Sequence, residues 1–318
     1  MISFIGITEG NKLVHHSSIE SLNFKNFKRF WVDFNNPTND EIKHLSETFQ
    51  FHPLAIEDCT NHVIQRPKLD YYEDHTFFIT HIVREHGNEL FKEELDLFVA
   101  ENFIVTFHLS HSEEVSEVLE RTISLKSPDK FGSTHVFYEI LDKIVDNYFP
   151  IVYKIEDKLD EIDENPYKRP MNALLDELFD TRSMLLNLMH TVNPMSDLLY
   201  RLLNSHRLSN IIRKKEYFSD IYDHLLKLSE MVMSNREITA DIRDNYLSLN
   251  SHQTNNVMKF LTIMTTMFSP MALISGIFGM NFKYMSILNW KYGFPLSLVF
   301  MGAIGLALYW WFKKKGWF

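Results

Sequence analysis

Along one stretch of the 318-residue chain, side chains that can hydrogen-bond to water recur at a fixed interval. Asp244, Ser248, Ser251, Asn255, Met258, Thr262, Thr265, Ser269, Ala272 and Gly276 follow one another in alternating steps of four and three. That is a heptad seam on one helix face. A tight coiled-coil seam is Leu, Ile and Val, whereas this one is small or polar at nearly every step. Two chemistries fit it. Small residues let helix backbones approach closely in lipid. Alternatively, the same face of several identical helices lines a water-filled path for an ion. The polar run continuing through Asp244, Ser248, Ser251 and Asn255 favours the path. A single chain of this kind cannot enclose a lumen, so the path demands a ring of copies.

The elements that carry the seam are visible in the same residues. Lys259 and Lys283 enclose 23 uncharged residues, and Lys291 and Lys313 another 21. Each run is long enough to cross the ~30 Å hydrocarbon core as a helix. Glycine is absent from 133–275, and neither Gly nor Pro occurs from Met195 to Ser269. Glu216–Phe278 therefore reads as one helix, ~95 Å long at 1.5 Å per residue. Pro270 falls inside its apolar part, where a kink is tolerable. Lys313, Lys314 and Lys315 place the tail on the cytoplasmic side, and two spans put the long N-terminal region there too. MISFIGITEG has neither the basic start nor the apolar region of a signal peptide. Tyr309, Trp310, Trp311 and Trp317 form an aromatic belt.

Composition excludes other classes. The chain is 45% hydrophobic, with net charge −10 and one cysteine, Cys59. Disorder is excluded by the apolar content, and phosphate-driven nucleic-acid binding by the acidic excess. Cys59 reads as a small core residue. There is no GxxxxGK[ST] loop for ATP and no charge inside either span for a proton relay. No Ser-His-Asp or paired-carboxylate constellation stands out, so the chain is not read as an enzyme. The run 156–164 has six acidic residues in nine, on a helix before Pro166. It reads first as a solvated helix face. The fifteen histidines are scattered and read as structural.

Strands are expected at Ile2–Ile7, Phe30–Phe34, Phe77–Arg84, Leu95–Ala100 and Phe103–Phe107, and a helix at Asn39–Gln50. Residues 133–205 read as two helices broken by Pro166 and Pro170. The fold class is an α+β membrane protein in three parts. These are a cytosolic α/β domain (1–132), a helical stalk domain with the acidic hairpin (133–259), and a two-helix transmembrane domain (260–318).

Gly279-Met280-Asn281 ends the first span, followed by Phe282, Tyr284, Met285, Trp290 and Tyr292-Gly293-Phe294-Pro295. With His52-Pro53-Leu54-Ala55-Ile56-Glu57-Asp58, Gln65-Arg66-Pro67-Lys68, Asn255, Val257-Met258-Lys259, Leu261-Thr262 and the basic end Phe312–Phe318, the chain resembles the CorA family of divalent-cation transporters over nearly its whole length. The resemblance implies a homopentamer in the inner (plasma) membrane with both termini cytoplasmic. It implies Mg²⁺ as cargo and regulatory ligand, with Co²⁺ and Ni²⁺ carried by the same branch, and no organic cofactor. It gives Gly279, Met280 and Asn281 the selectivity filter, with five Asn281 amides hydrogen-bonding the hydrated ion. It assigns pore-lining roles to Asn255, Met258, Leu261 and Ala272, with Asp244 at the inner entrance. Met258 and Leu261 would form a hydrophobic constriction. The seam adds Ser251, Thr262, Thr265 and Ser269. The regulatory carboxylates matching the family are Asp74 and Asp220, joined by Mg²⁺ between neighbouring subunits. Lys283 and Lys291 make the outer link basic, where relatives are often acidic. A rival from another class is a membrane-anchored helical scaffold, whose hairpin only tethers the rest.

Overall fold

The computed structural model describes residues 1–20, 22–61, 63–87, 89–124, 131–165, 168–208, 215–280 and 290–317. They form two compact units, Met1–Ile242 and Arg243–Phe318.

The first unit is built on a seven-stranded sheet. Its strands are β1 (Ile2–Thr8), β2 (Leu13–His16), β3 (Phe27–Asn35), β4 (Lys68–Tyr71), β5 (Thr76–His86), β6 (Glu89–Val99) and β7 (Phe103–His108). The order is β2-β1-β3-β7-β6-β5-β4. Only β3 and β7 run parallel, pairing Trp31 with Ile104 and Phe34 with Phe107; the other neighbours are antiparallel. All five strands expected from alternation are present. β2 and β4 were not expected, since four residues each are too few to display a period.

One sheet face holds Phe4, Phe30, Val32, Phe34, Phe77, Phe98, Val105 and Phe107. They pack on Leu45 of α1 (Asn39–Glu47), Phe51, and Ala55 and Cys59 of α2 (Pro53–Thr60). α1 starts at a capping box. The Glu41 amide donates to Thr38 Oγ1 at 3.3 Å, and the Thr38 amide donates to Glu41 Oε2 at 2.8 Å. α2 starts at Pro53, whose missing N–H costs nothing in the first turn. α1 ends at Glu47, three residues short of the expected Gln50, and Gln50 takes a positive φ of 53°.

The remaining helices of this unit are α3 (Glu113–Ile123), α4 (Ser133–Asp146), α5 (Tyr148–Glu164) and α6 (Met171–Asn204). Residues 133–205 thus hold three helices where two were expected. α4 and α5 abut at Asn147, which is no sequence-level breaker, and Pro150 is accommodated in the first turn of α5. Ile155, Leu159 and Ile162 of α5 are buried, while the acidic residues occupy its outer side. Arg84 of β5 donates twice to the buried Glu114 of α3, at 2.7 and 2.6 Å, and Asn147 adds a third bond at 2.7 Å. Burial alone would raise the Glu114 carboxyl, but these donors hold it below its usual range. The Tyr148 hydroxyl donates to the His81 carbonyl. His108 is structural, bonded to Asp33 and to the Ser110 carbonyl.

α7 runs without interruption over Lys215–Phe278, continuing from the first unit into the second. The second unit contains its C-terminal part and α8 (Gly293–Lys314). Both helices are long and apolar enough to cross a membrane, yet only 6% and 11% of their apolar windows are buried. A core helix of a water-soluble protein would be mostly buried.

Candidate functional site

The seam of α7 and the packing of the two spans use different helix faces. Ile263 is buried, and Thr266, Met267, Pro270, Met271, Ile274 and Phe278 are half-buried. This side meets α8 at Gly305, where an added Cβ would lie 2.7 Å from Met271 Cε. Ser251, Asn255, Met258, Thr262, Thr265, Ser269 and Ala272 are all exposed in the single chain. At 100° per residue the two sides point roughly 140° apart. The seam is therefore not the surface on which the chain's own spans pack.

The seam hydroxyls are oriented by their own helix. Thr262 Oγ1 donates to the Met258 carbonyl at 2.8 Å, and Thr265 Oγ1 to the Leu261 carbonyl at 2.9 Å. With their protons committed to the backbone, these oxygens keep lone pairs that can accept from a hydrated cation. Met258 and Leu261 are both exposed, but Leu261 stands about 80° from the centre of the stripe. Asp244 is exposed and paired with Arg243, whose Nε and Nη2 lie 2.9 and 2.8 Å from Oδ1. The Arg243 charge therefore offsets that of the Asp244 carboxylate.

At the C-terminal end of α7 the Gly279 amide donates to the Ser275 carbonyl at 3.0 Å, and the Met280 amide to the Ile277 carbonyl at 3.2 Å. A Cβ at Gly279 would come 3.3 Å from that Ser275 oxygen, so the tight last turn favours glycine for a reason within one chain. Met280 is exposed. Asn281 lies outside the described residues, as do Lys283 and most of the link between α7 and α8.

The two expected regulatory carboxylates are placed differently. Asp74 is exposed in the turn between β4 and β5. Asp220 is exposed on α7 and belongs to a group the sequence did not bring together. Burial and the charges of Asp142 and Asp220 push the Tyr138 hydroxyl of α4 up to about 12. The Asp142 carboxyl is raised by burial, Asp146 and Asp220, against His224. His224 Nδ1 lies 3.7 Å from Asp146 Oδ1. The available signal was the i, i+4 spacing of Asp142 and Asp146 on one helix. Oxygen donors of this kind suit Mg²⁺. Among the described residues, no three His, Cys, Asp or Glu side chains are placed to hold a metal ion within one chain.

The motifs at 52–58 and 65–68 turn out to be one network. Lys68 Nζ bridges Asp58 Oδ2 at 2.8 Å and Asp70 Oδ2 at 3.0 Å, and Gln65 Nε2 donates to Asp58 Oδ1. The bridge raises the Lys68 ammonium even though burial works against it.

The profile of the family described as CorA-like Mg2+ transporter protein matches residues 28–314. The chain belongs to this family. YfjQ of Bacillus subtilis is 46% identical to it over 320 residues, covering 100% of this chain and 99% of its own. The cobalt/magnesium transport protein CorA of Thermotoga maritima is 34% identical over 283 residues, covering 87% of this chain and 80% of its own. The complete structure of the CorA magnesium transporter from Methanocaldococcus jannaschii has the same fold, at TM-score 0.83 and 23% identity, over 100% of this chain and 99% of that one. CorA-like proteins are membrane transporters and not enzymes, and α7 and α8 are the two candidate spans of this member.

Proposed function

We propose that five copies of the chain form an ion-conducting pore that carries Mg²⁺ into the cell down the membrane potential, with Co²⁺ and Ni²⁺ as further cargo. The observation that carries this reading is the polar stripe of α7, left free by span packing on the other side of the helix. The number five comes from the family resemblance. In this reading the protein sits in the inner (plasma) membrane with both termini in the cytoplasm. Ser251, Asn255, Thr262, Thr265, Ser269 and Ala272 line the lumen, Met258 and Leu261 narrow it, and Asp244 stands at the inner end.

Mg²⁺ releases its waters reluctantly, so a pore that conducts it works best by hydrogen-bonding the hydrated ion. Gly279, Met280 and Asn281 form the outer filter, and neutral Asn281 amides hold the hydration shell less tightly than carboxylates would. A dication gains about 4.6 kcal/mol per 100 mV on moving inward, so no other energy source is needed. The gate is closed by cytosolic Mg²⁺. Asp220 carries that part of the proposal, because its charge adds to the crowded carboxylates Asp142 and Asp146 and a cation would relieve the repulsion. Asp74 enters as a carboxylate from the neighbouring chain.

The test is reconstitution into liposomes loaded with a Mg²⁺-sensitive dye. Uptake should rise with inside-negative potential and stop when internal Mg²⁺ is high. Liposomes that show no potential-dependent uptake at low internal Mg²⁺ would sink the pore and favour the tethered scaffold.

A further inference from the structure

α8 carries two faces of different character. Met301, Ile304, Gly305, Leu308 and Phe312 are buried or half-buried, and this is the side that holds the Gly305 contact with Met271. Ala307, Trp310, Trp311 and Lys314 recur at the same three- and four-residue spacing, roughly 130° round the helix at 100° per residue. They are exposed, and with Lys313 they line a concavity of about 460 Å³. The small Ala307 leaves the hollow, and Trp310 and Trp311, 71% and 52% exposed, wall it.

This end of the helix is held in one conformation. Gly316 takes a φ of 71°, and its amide donates to the Lys313 carbonyl at 3.2 Å. The Trp317 amide donates to the Phe312 carbonyl, also at 3.2 Å. Those two bonds are a Schellman closure, and its apolar contact is present in the Phe312 and Trp317 rings, whose centroids are 5.5 Å apart. Lys313, Lys314 and Lys315 therefore stand on a fixed turn and not on a frayed tail. Lys315 Nζ lies 5.8 Å from the Trp311 ring centroid, which keeps a third cation against the wall of the hollow.

No protein anion is at hand for these charges. From Asn245 to Phe318 the sequence has no Asp or Glu, and among the described residues none of the three lysines makes an ion pair. The helix C-terminus offsets only part of the charge, since its dipole amounts to about half an elementary charge against three. In a chain of net charge −10, a fixed cluster of this sign calls for an external anion.

Place decides which anion. Gly293–Lys314 is apolar enough to cross a membrane, so Ala307 lies within the span and the lysines lie at its edge. The occupant must be apolar at one end and anionic at the other. Indoles suit the boundary between those ends, with an apolar ring and one N–H donor. We propose that the hollow binds an anionic phospholipid, with its phosphate on Lys313 and Lys314, its glycerol oxygens at the indoles of Trp310 and Trp311, and an acyl chain along Ala307. A zwitterionic lipid brings an ammonium that the same lysines repel. None of these residues belongs to the α7 stripe or to the Asp220 group, so the site stands or falls independently of the pore.

The full-length protein in neutral detergent micelles is mixed with equal amounts of phosphatidylglycerol and phosphatidylcholine and passed through a gel-filtration column. The lipid that elutes with the protein is counted by mass spectrometry. Phosphatidylglycerol should be enriched about fivefold over the mixing ratio at about 50 mM salt, and the enrichment should shrink several-fold at about 500 mM. Replacing Lys313→Gln and Lys314→Gln together should return the lipid to the mixing ratio, and Trp311→Ala should lower the enrichment at unchanged charge. Lys291→Gln, before the other end of α8, should leave it as in the wild type. All these side chains are exposed, so the variants keep the fold, which unchanged melting curves verify. Wild-type protein that retains lipid at the mixing ratio overturns the site. Equal loss in Lys291→Gln does so too, since total charge would then suffice. Displacement of the lipid by millimolar inorganic phosphate at constant ionic strength would make it a free-anion site and overturn the lipid assignment.

Discussion

Met1–Ile242 and Arg243–Phe318 treat the same residue types in opposite ways. In the first unit Phe4, Trp31, Phe77, Phe98 and Phe107 are wholly buried, and the polar residues among them are bonded in series. Trp31 Nε1 donates to Thr106 Oγ1 at 3.0 Å, and Thr106 Oγ1 donates to Asp33 Oδ1 at 2.6 Å. In the second unit Phe260, Leu273, Phe294, Val299 and Trp310 stand open, and of the large apolar side chains only Ile263 and Phe312 are buried among the described residues. The first unit buries its apolar residues in a core of its own. The second leaves its apolar surface open, as membrane-crossing helices do, and its polar stripe uncovered in the single chain.

The largest expected effect tests that contrast directly. Trp31→Ala should destabilise the first unit by about 3–5 kcal/mol, because it empties a core site and removes the indole donor to Thr106 Oγ1. Leu273→Ala, at a residue 65% exposed, should cost well under that in detergent-solubilised protein. Equal losses in denaturant midpoints would show that the second unit has a core of its own. Next comes the stripe. Asn281→Ala should reduce Mg²⁺ uptake into dye-loaded liposomes about tenfold or more, the equivalent of about 1.4 kcal/mol. Unchanged flux rejects the amide collar.

Asp220→Asn should raise the internal Mg²⁺ needed to stop uptake by about fivefold or more. Asp74→Asn should match it only if the turn between β4 and β5 completes the clamp, so the pair of variants separates the two carboxylates. The smallest effect concerns pH in the first unit. Burial works against charging His108, but its bond to Asp33 prevails and raises its pKa. The stability from that pair is full below the unfolded value of about 6.5 and is lost as pH rises through the higher folded value. Urea midpoints should thus decline modestly from slightly acid to slightly alkaline pH, and Asp33→Asn should flatten that slope.

Much of the architecture was readable because its signals are local. The five long strands show their own alternation, and α7 is announced by the absence of Gly and Pro from its start to Ser269. β2 and β4 escaped because a pairing partner, rather than a pattern, makes them strands. The division between α4 and α5 escaped because Asn147 breaks a helix only in the context of what both halves pack against. Asp220 was singled out alone, since Asp142 and Asp146 lie more than seventy positions earlier in the chain.

The order of residues was enough to establish two apolar spans, an unbroken helix entering the first, and a polar stripe along it, because periodicity and hydrophobic length are properties of a single helix. Which side of that helix meets α8 was decided only in three dimensions. The seat is the place where Gly305 admits Met271, and a contact between residues 34 positions apart leaves no period to read.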